Sequence, residues 1–164
     1  MIDGLQIKQL VAHVDKVEAG EIVKRPGFLM EVLRSDEGLL EKFGQSTMTV
    51  AYKDTIKAFH WHKRQDDLWF VATGKAMVVL FDLRDESPTK GETQVIMAGK
   101  DDYKLIVIPV GVAHGYRVLS EEPVMLVYYT TEPYNVQHPD EELIPFDDPN
   151  IGFDWGNQSH PKTI

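Results

Sequence analysis

Three histidines and one acid stand at a spacing that constrains how this chain can fold and what chemistry it can hold. His60 and His62 are separated by one residue, Asp67 follows five residues after His62, and His114 comes directly after the run Pro109-Val110-Gly111-Val112-Ala113. On a β-strand, residues i and i+2 point to the same face, so His60 and His62 would share one side. Imidazoles on an inward face are costly unless each nitrogen has a partner. The cluster therefore indicates a metal site or an acid–base site inside a β-structure.

The chain around this cluster has the pattern of short β-strands. Apolar runs rich in β-branched and aromatic residues alternate with turn residues. The runs before and after Thr73-Gly74 are expected to pair as a hairpin. The strand-like segments are residues 47–62, 68–72, 76–83, 94–97, 104–108, 113–118 and 124–130. This pattern predicts an all-β fold, an antiparallel barrel or jelly roll.

The length and composition indicate one domain of an ordinary globular protein. The chain has 164 residues, so we expect a single domain over 1–164 with a barrel core at about 45–131. A short N-terminal segment precedes that core. Five of the nine prolines lie in residues 132–164, which predicts an irregular C-terminal segment.

Charge and residue usage exclude several classes of function. The net charge of −9 argues against a nucleic-acid partner. The absence of cysteine excludes disulfides and thiolate zinc sites. No apolar run is long enough to span a membrane, and the first residues lack a signal-peptide pattern, so we expect a cytoplasmic protein without a membrane partner.

The histidine segments resemble the two signature segments of the cupin superfamily, whose members are small jelly-roll barrels. The usual metal-binding acid in cupins is glutamate, whereas this chain has Asp67. Three imidazoles and one carboxylate suit a divalent Mn, Fe, Ni or Zn ion. One hypothesis is therefore a metal-dependent cupin enzyme with His60, His62, Asp67 and His114 as ligands.

A longer resemblance, over residues 27–155, is to the dTDP-4-dehydrorhamnose 3,5-epimerase family, itself of cupin fold. It is carried by Gly27-Phe28-Leu29-Met30-Glu31, Phe43-x-Gln45, Asp82-Leu83-Arg84, Ile108-Pro109-x-Gly111-x-Ala113-His114-Gly115-Tyr116 and Phe146-Asp147-Asp148-Pro149-x-Ile151-Gly152-Phe153-Asp154-Trp155. The resemblance implies an isomerase that epimerises a nucleotide-linked (dTDP-type) 4-keto-6-deoxy sugar. The reaction would start with proton abstraction next to the ketone and would need no cofactor.

The resemblance also implies roles for individual residues. His60 matches the family's base, Tyr128 matches its proposed acid, and His114 matches a second pocket histidine. Lys57 keeps a cation where the family has an arginine at the diphosphate, and Arg25 lies beside the position of another family arginine.

Nucleotide binding in the family points to a second chain. Members hold the nucleotide near the positions of Phe28, Glu31 and Gln45, partly with residues of a neighbouring subunit. The resemblance therefore implies a homodimer.

Two departures from the family pattern leave the chemistry open. Asp67 stands where the family has a lysine taken to stabilise the enolate, and an anion there would repel an enolate. The family's carboxylate partner of the base lies in a C-terminal extension, and no match to it is found after Trp155. If His60 bound a metal, it could not also be the base. A non-catalytic sugar-nucleotide-binding cupin is therefore a third hypothesis.

Overall fold

The computed structural model describes residues 1–14 and 27–156 of the chain. Within these ranges the chain forms twelve β-strands and one 3-10 helix, Ser35–Glu37. The strands are β1 (Gln6–Gln9), β2 (His13–Val14), β3 (Phe28–Leu29), β4 (Gln45–Ala51), β5 (Ile56–Trp61), β6 (Asp67–Thr73), β7 (Lys75–Asp82), β8 (Thr93–Gly99), β9 (Lys104–Ile108), β10 (Val112–Val118), β11 (Val124–Thr130) and β12 (Glu142–Leu143).

Ten of these strands form two five-stranded antiparallel sheets. Sheet 1 has the order β1-β9-β6-β11-β4, sheet 2 has the order β12-β5-β10-β7-β8, and β2 and β3 pair separately. From β4 onward each strand lies in the opposite sheet from the strand before it, except that β7 and β8 are neighbours. This interleaving is that of a jelly roll, so the predicted all-β, cupin-type barrel is confirmed. β1 and β12 extend the sheets beyond residues 45–131.

The hairpin expected around Gly74 is not formed, and that prediction was wrong. β6 lies in sheet 1 and β7 in sheet 2. The single residue between them is shorter than the two-residue loop of a tight hairpin. Gly74 has a φ of 66°, and a Cβ there would lie 2.8 Å from the backbone oxygen of Glu122. The tight turn therefore directs the chain from one sheet to the other.

The main core lies between the two sheets. Val78 and Leu80 of sheet 2 and Ile106 and Leu126 of sheet 1 belong to one buried cluster. Each such side chain contributes about 1.5–3 kcal/mol when it leaves water. Because this core fills only part of the space between the sheets, the remainder is available for a cavity.

The alternation of β5 sets the direction of the first two histidines. Phe59 and Trp61 pack on the outer face of sheet 2, in a cluster with Trp155 of the closing segment. The ring centroids of Phe59 and Trp155 are 5.4 Å apart. His60 and His62 consequently point inward, as the sequence predicts.

The described part of the chain has no helix with the length and apolar character needed to cross a bilayer.

Candidate active site

A cavity of about 780 Å³ lies between the sheets. Its walls come from β4, β5, β6, β10 and β11, and from residues 132–141, which follow β11. The predicted site residues that line it are Gln45, Lys57, His60, His62, Asp67, His114 and Tyr128. The structure thus brings both histidine segments, the Asp67 carboxylate and the Tyr128 hydroxyl to one cavity.

His60 has a carboxylate partner inside this chain. Its Nδ1 lies 2.7 Å from Oε1 of Glu141, which precedes β12. Burial lowers the pKa of His60, and Glu141 only partly offsets this by raising it. A neutral imidazole with one nitrogen bound to a carboxylate presents its other nitrogen as a proton acceptor.

The segment before β12 is held firmly against the β5–β6 turn. The Asp140 carboxylate accepts hydrogen bonds from the backbone N–H groups of Lys63, Arg64 and Gln65, at 3.1, 2.8 and 3.2 Å. β12 then pairs with β5 so that Leu143 lies opposite His60. These contacts fix Glu141 next to His60.

Tyr128 faces the cavity from the other sheet. It lies on β11 of sheet 1, whereas His60 lies on β5 of sheet 2. Burial raises the pKa of the Tyr128 hydroxyl, so the phenol stays protonated at neutral pH. Tyr129 points away and packs in the cluster on the far face of sheet 1. A proton acceptor and a proton donor therefore face one cavity from opposite walls.

His62, Asp67 and His114 form a compact buried cluster. Nε2 of His62 is 3.6 Å from Oδ1 of Asp67, and Nε2 of His114 is 3.5 Å from Oδ2. Burial raises the pKa of the Asp67 carboxyl, but the contacts with His114 and His62 lower it by more, so the pKa lies below its ordinary value. Asp67 is therefore an anion held between two imidazoles. The structure does not bring His60 into this cluster of possible metal ligands.

Two polar side chains of the cavity are held by neighbouring threonines. Nζ of Lys57 donates to Oγ1 of Thr49 at 2.7 Å. Nε2 of Gln45 donates to Oγ1 of Thr47 at 2.8 Å, and its Oε1 accepts from the N–H of Tyr134 at 3.0 Å. Both predicted binding residues are thus ordered before any ligand arrives.

Two other predicted binding residues, Phe28 and Glu31, do not line the cavity of this chain. Phe28 is half exposed on β3, with its ring centroid 5.8 Å from that of Tyr103. Glu31 pairs with Arg34 on the surface. Arg25 lies outside the described residues. Binding by Phe28 and Glu31 at this cavity would have to come from a second copy of the chain.

Comparison with known proteins identifies the family. The sequence profile described as dTDP-4-dehydrorhamnose 3,5-epimerase matches residues 18–163. The chain belongs to the dTDP-4-dehydrorhamnose 3,5-epimerase family. It is 51% identical over 158 residues to the spore coat polysaccharide biosynthesis protein SpsL of Bacillus subtilis strain 168, covering 96% of this chain and 99% of that protein.

Solved structures of family members have the same fold. The dTDP sugar isomerase of Desulfovibrio desulfuricans G20 matches with a TM-score of 0.82 and 27% identity, covering 95% of this chain and 93% of that one. The dTDP-6-deoxy-D-glucose-3,5-epimerase of Legionella pneumophila Philadelphia 1, in complex with dTDP-4-keto-L-rhamnose, matches with a TM-score of 0.77 and 26% identity, covering 94% and 80%. The sequence-based assignment to the epimerase family is confirmed.

Sequence reasoning missed the carboxylate that contacts His60. A carboxylate partner for His60 was expected to be missing, yet Glu141 is in contact with it. Glu141 belongs to an acidic run, Asp140-Glu141-Glu142, in a segment rich in proline. Acidic runs are usually solvated, and no local pattern separates Glu141 from its neighbours. Only the pairing of β12 with β5 reveals it.

Proposed function

We propose that this chain is an epimerase that acts on a dTDP-linked 4-keto-6-deoxy sugar by removing a proton next to the ketone. The observation that carries the proposal is the pairing of His60 with Glu141 on one wall of the cavity, with Tyr128 on the other. Epimerisation needs a base on one face of the sugar and an acid on the opposite face. Family membership supports the same reaction and the same class of substrate.

The proposed reaction moves two protons. The free nitrogen of His60 takes the proton from the carbon next to the ketone, and the electron pair of that C–H bond forms the enolate, with its negative charge on the ketone oxygen. Tyr128 then donates its phenolic proton to the same carbon from the opposite face, and the enolate returns to the ketone. Solvent reprotonates Tyr128, and His60 releases its proton to solvent. The sugar leaves as the inverted isomer without a net change in composition.

Glu141 is proposed to orient the His60 ring and to balance its positive charge once the ring is protonated. Because its carboxylate binds Nδ1, the ring keeps a single orientation and its other nitrogen faces the cavity. When His60 becomes an imidazolium, the same contact becomes a charge-assisted hydrogen bond. Glu141 therefore stabilises the protonated base when it is needed.

Gln45 and Lys57 are proposed to bind the substrate. His114, which the family resemblance places in the pocket, has its two ring nitrogens next to Val112 and Asp67 instead. Lys57 supplies a cation that suits a diphosphate, and Thr49 already holds its ammonium group at the cavity wall. Gln45 can donate and accept hydrogen bonds, as recognition of a sugar or a base requires. Arg25 remains a predicted contact of the diphosphate.

We further propose that the active form is a homodimer. On the outer side of β4, an edge strand of sheet 1, Met48 and Val50 are exposed, and Tyr52 continues the row. Phe28 and Glu31, predicted to bind nucleotide, lie outside the cavity of their own chain and would reach the partner's cavity across such a contact.

Sedimentation equilibrium tests the homodimer and should give a mass of about twice 18.7 kDa. Met48→Glu should favour the monomer, whereas Leu119→Glu, at an exposed apolar position just after β10, should not.

The names of the relatives support a place in polysaccharide assembly. SpsL is named as a spore coat polysaccharide biosynthesis protein, and the chain matches it over almost its whole length. The proposed product, an activated deoxy sugar, would serve as a precursor for a glycosyl polymer. A cytoplasmic location remains a prediction.

The proposal is tested by incubating the purified protein with a dTDP-4-keto-6-deoxy sugar and separating the isomers. Appearance of an inverted isomer, absent with His60→Asn, would support it. Binding of the nucleotide sugar without any new isomer would instead favour the non-catalytic binding module.

A further inference from the structure

His62, Asp67 and His114 form a second polar cluster in the cavity, next to the acid–base residues. His62 directly follows β5 and His114 lies on β10, both in sheet 2, whereas Asp67 opens β6 in sheet 1. Their side chains are 10%, 2% and 4% exposed, in the order His62, His114 and Asp67. A carboxylate and two imidazoles so far from water need partners that offset the loss of hydration.

Backbone carbonyls determine which nitrogen of each ring faces Asp67. Nδ1 of His114 lies 2.9 Å from the carbonyl oxygen of Val112, and Nδ1 of His62 contacts the carbonyl oxygen of Asp140. A carbonyl accepts only, so each Nδ1 carries the hydrogen of that bond. Whenever Nε2 of such a ring carries no hydrogen, it presents a lone pair toward the Asp67 carboxylate. Histidine ligands of metals usually have this arrangement.

The Asp67 carboxylate is also oriented from behind. Nε2 of Gln65 donates to Oδ1 at 2.8 Å, and Nε1 of Trp69 donates to Oδ2 at 3.1 Å. These donors hold one oxygen toward each histidine. Two ring nitrogens and two carboxylate oxygens therefore converge in a fixed arrangement.

The separations favour a metal ion over a shared proton. A charge-assisted hydrogen bond between imidazole and carboxylate is about 2.7–2.9 Å long. Two ligand atoms that lie about 2.1 Å from one ion at the tetrahedral angle are about 3.4 Å apart. The distances from Asp67 to His62 and His114 are 3.6 and 3.5 Å. Acceptor atoms at this spacing leave room for a cation between them.

We propose that His62, Asp67 and His114 bind one divalent first-row transition-metal ion, with a fourth position open to the cavity. The two imidazoles and one carboxylate fit Zn²⁺ and its neighbours in ligand type. Ligand atoms of all three residues lie within 4.8 Å of one another, and all three residues line the cavity. This assignment removes the conflict between the two roles of His60, because the three ligands do not include it.

Such an ion would supply positive charge beside the sugar, where proton abstraction makes the ketone oxygen negative. That role rests on the proposed epimerase function, but the binding site itself does not. Binding is therefore tested in the absence of any sugar nucleotide, so that the two proposals can fail independently.

The test starts from chelator-treated, dialysed protein. Zn²⁺ binding is titrated by calorimetry. Co²⁺ is then bound in place of Zn²⁺, because its visible absorption reports whether the site has a low coordination number. We expect one ion per chain, d–d bands of the Co²⁺ form, and a higher unfolding temperature with Zn²⁺. If no Zn²⁺ binds and the unfolding temperature does not change, the proposed site is wrong.

Substitutions separate this cluster from adventitious binding. His62→Gln and Asp67→Asn should each weaken Zn²⁺ binding by more than about 100-fold, and Gln65→Ala, which only orients a ligand, by about 10–100-fold. His13→Ala, an exposed histidine away from the cavity, should bind as the unmodified chain does. His60→Asn should also retain the ion, and loss of binding in that variant would contradict the three-ligand site. Circular dichroism confirms that each variant is folded before titration.

Discussion

The imidazole of His60 and the carboxylate of Glu141 are in contact at 2.7 Å although 81 residues separate them in the chain. The contact depends on the short pairing of β12 with β5 and on the anchoring of Asp140 at the β5–β6 turn. It supplies a carboxylate partner for the proposed base from the segment after β11. Lys57, His114 and Tyr128 come instead from strands of the two sheets.

Removal of the Glu141 carboxylate should lower turnover. A hydrogen bond to a charged group is worth about 1.5–3 kcal/mol, so Glu141→Gln should reduce kcat about 10–100-fold with little change in KM. Glu141→Asp should recover part of the loss. Steady-state kinetics of isomer formation provide the measurement.

The neighbouring glutamate provides the control for that substitution. Glu142 pairs with Lys63 on the surface instead of with a cavity residue. Glu142→Gln should therefore keep the unmodified kcat. Equal losses for the two glutamine variants would show that Glu141 acts only through the stability of the segment.

His60→Asn should remove the base while keeping a side chain of similar polarity. General base catalysis contributes about 10²–10⁴-fold, and kcat should fall by that factor. The unfolding temperature should change little, because the side chain is about one-third exposed. A variant with normal turnover would exclude His60 as the base.

Tyr128→Phe should separate proton removal from inversion. The variant retains His60, so the proton next to the ketone should still exchange with solvent on the side of the base. Without the donor on the other wall, formation of the inverted isomer should fall about 10²–10⁴-fold. Tyr129→Phe, whose ring packs on the far face of sheet 1, should invert the sugar normally. NMR follows exchange and inversion in one sample.

Asp82 should make the fold sensitive to acid. Burial alone raises the pKa of this carboxyl, but hydrogen bonds from Arg84, Ser87 and Thr89 outweigh it and hold the pKa well below its usual range. A carboxyl with a lower pKa in the folded state stabilises the fold fully above its unfolded value of 3.8 and loses that contribution as the pH falls through the folded pKa. Unfolding free energy should therefore decrease below about pH 4.

Asp82→Asn tests this directly. It removes the charge of a buried carboxylate that pairs with the half-buried Arg84, which should cost about 3 kcal/mol at neutral pH. The difference from the unmodified chain should shrink in acid, because Asp82 of the unfolded chain binds a proton below its unfolded value of 3.8, whereas the folded carboxyl stays ionised until lower pH. Urea unfolding at about pH 7 and about pH 3 measures both effects. Asp85→Asn, which removes a surface contact with Lys90, should leave the urea midpoint unchanged at both values.

The sequence predicts the strands well because their apolar alternation is local. The segment 104–108 was predicted as a strand and is β9, and segment 124–130 is β11. The error lies at Gly74, where a turn residue between two apolar runs indicates a hairpin, but sheet membership depends on packing of distant strands. Turn residues alone do not determine which sheet a strand joins.

The site was predictable only where its residues belong to a motif. His60 and His62 face inward because of strand alternation, and their spacing to Asp67 is visible in the sequence. Glu141 is determined by the pairing of a two-residue strand, which leaves no pattern in the sequence. The sequence does not show that His60 lies apart from the cluster of His62, Asp67 and His114, because this separation is a matter of a few ångströms.

We propose that this cavity epimerises a dTDP-linked 4-keto-6-deoxy sugar by proton exchange next to the ketone. The most direct measurement is proton NMR of that sugar nucleotide incubated with the protein in heavy water. We predict loss of the proton signal at C3, at C5 or at both, with no loss in the His60→Asn variant. Unchanged signals at both carbons, with a protein that binds the nucleotide sugar, would contradict the claim.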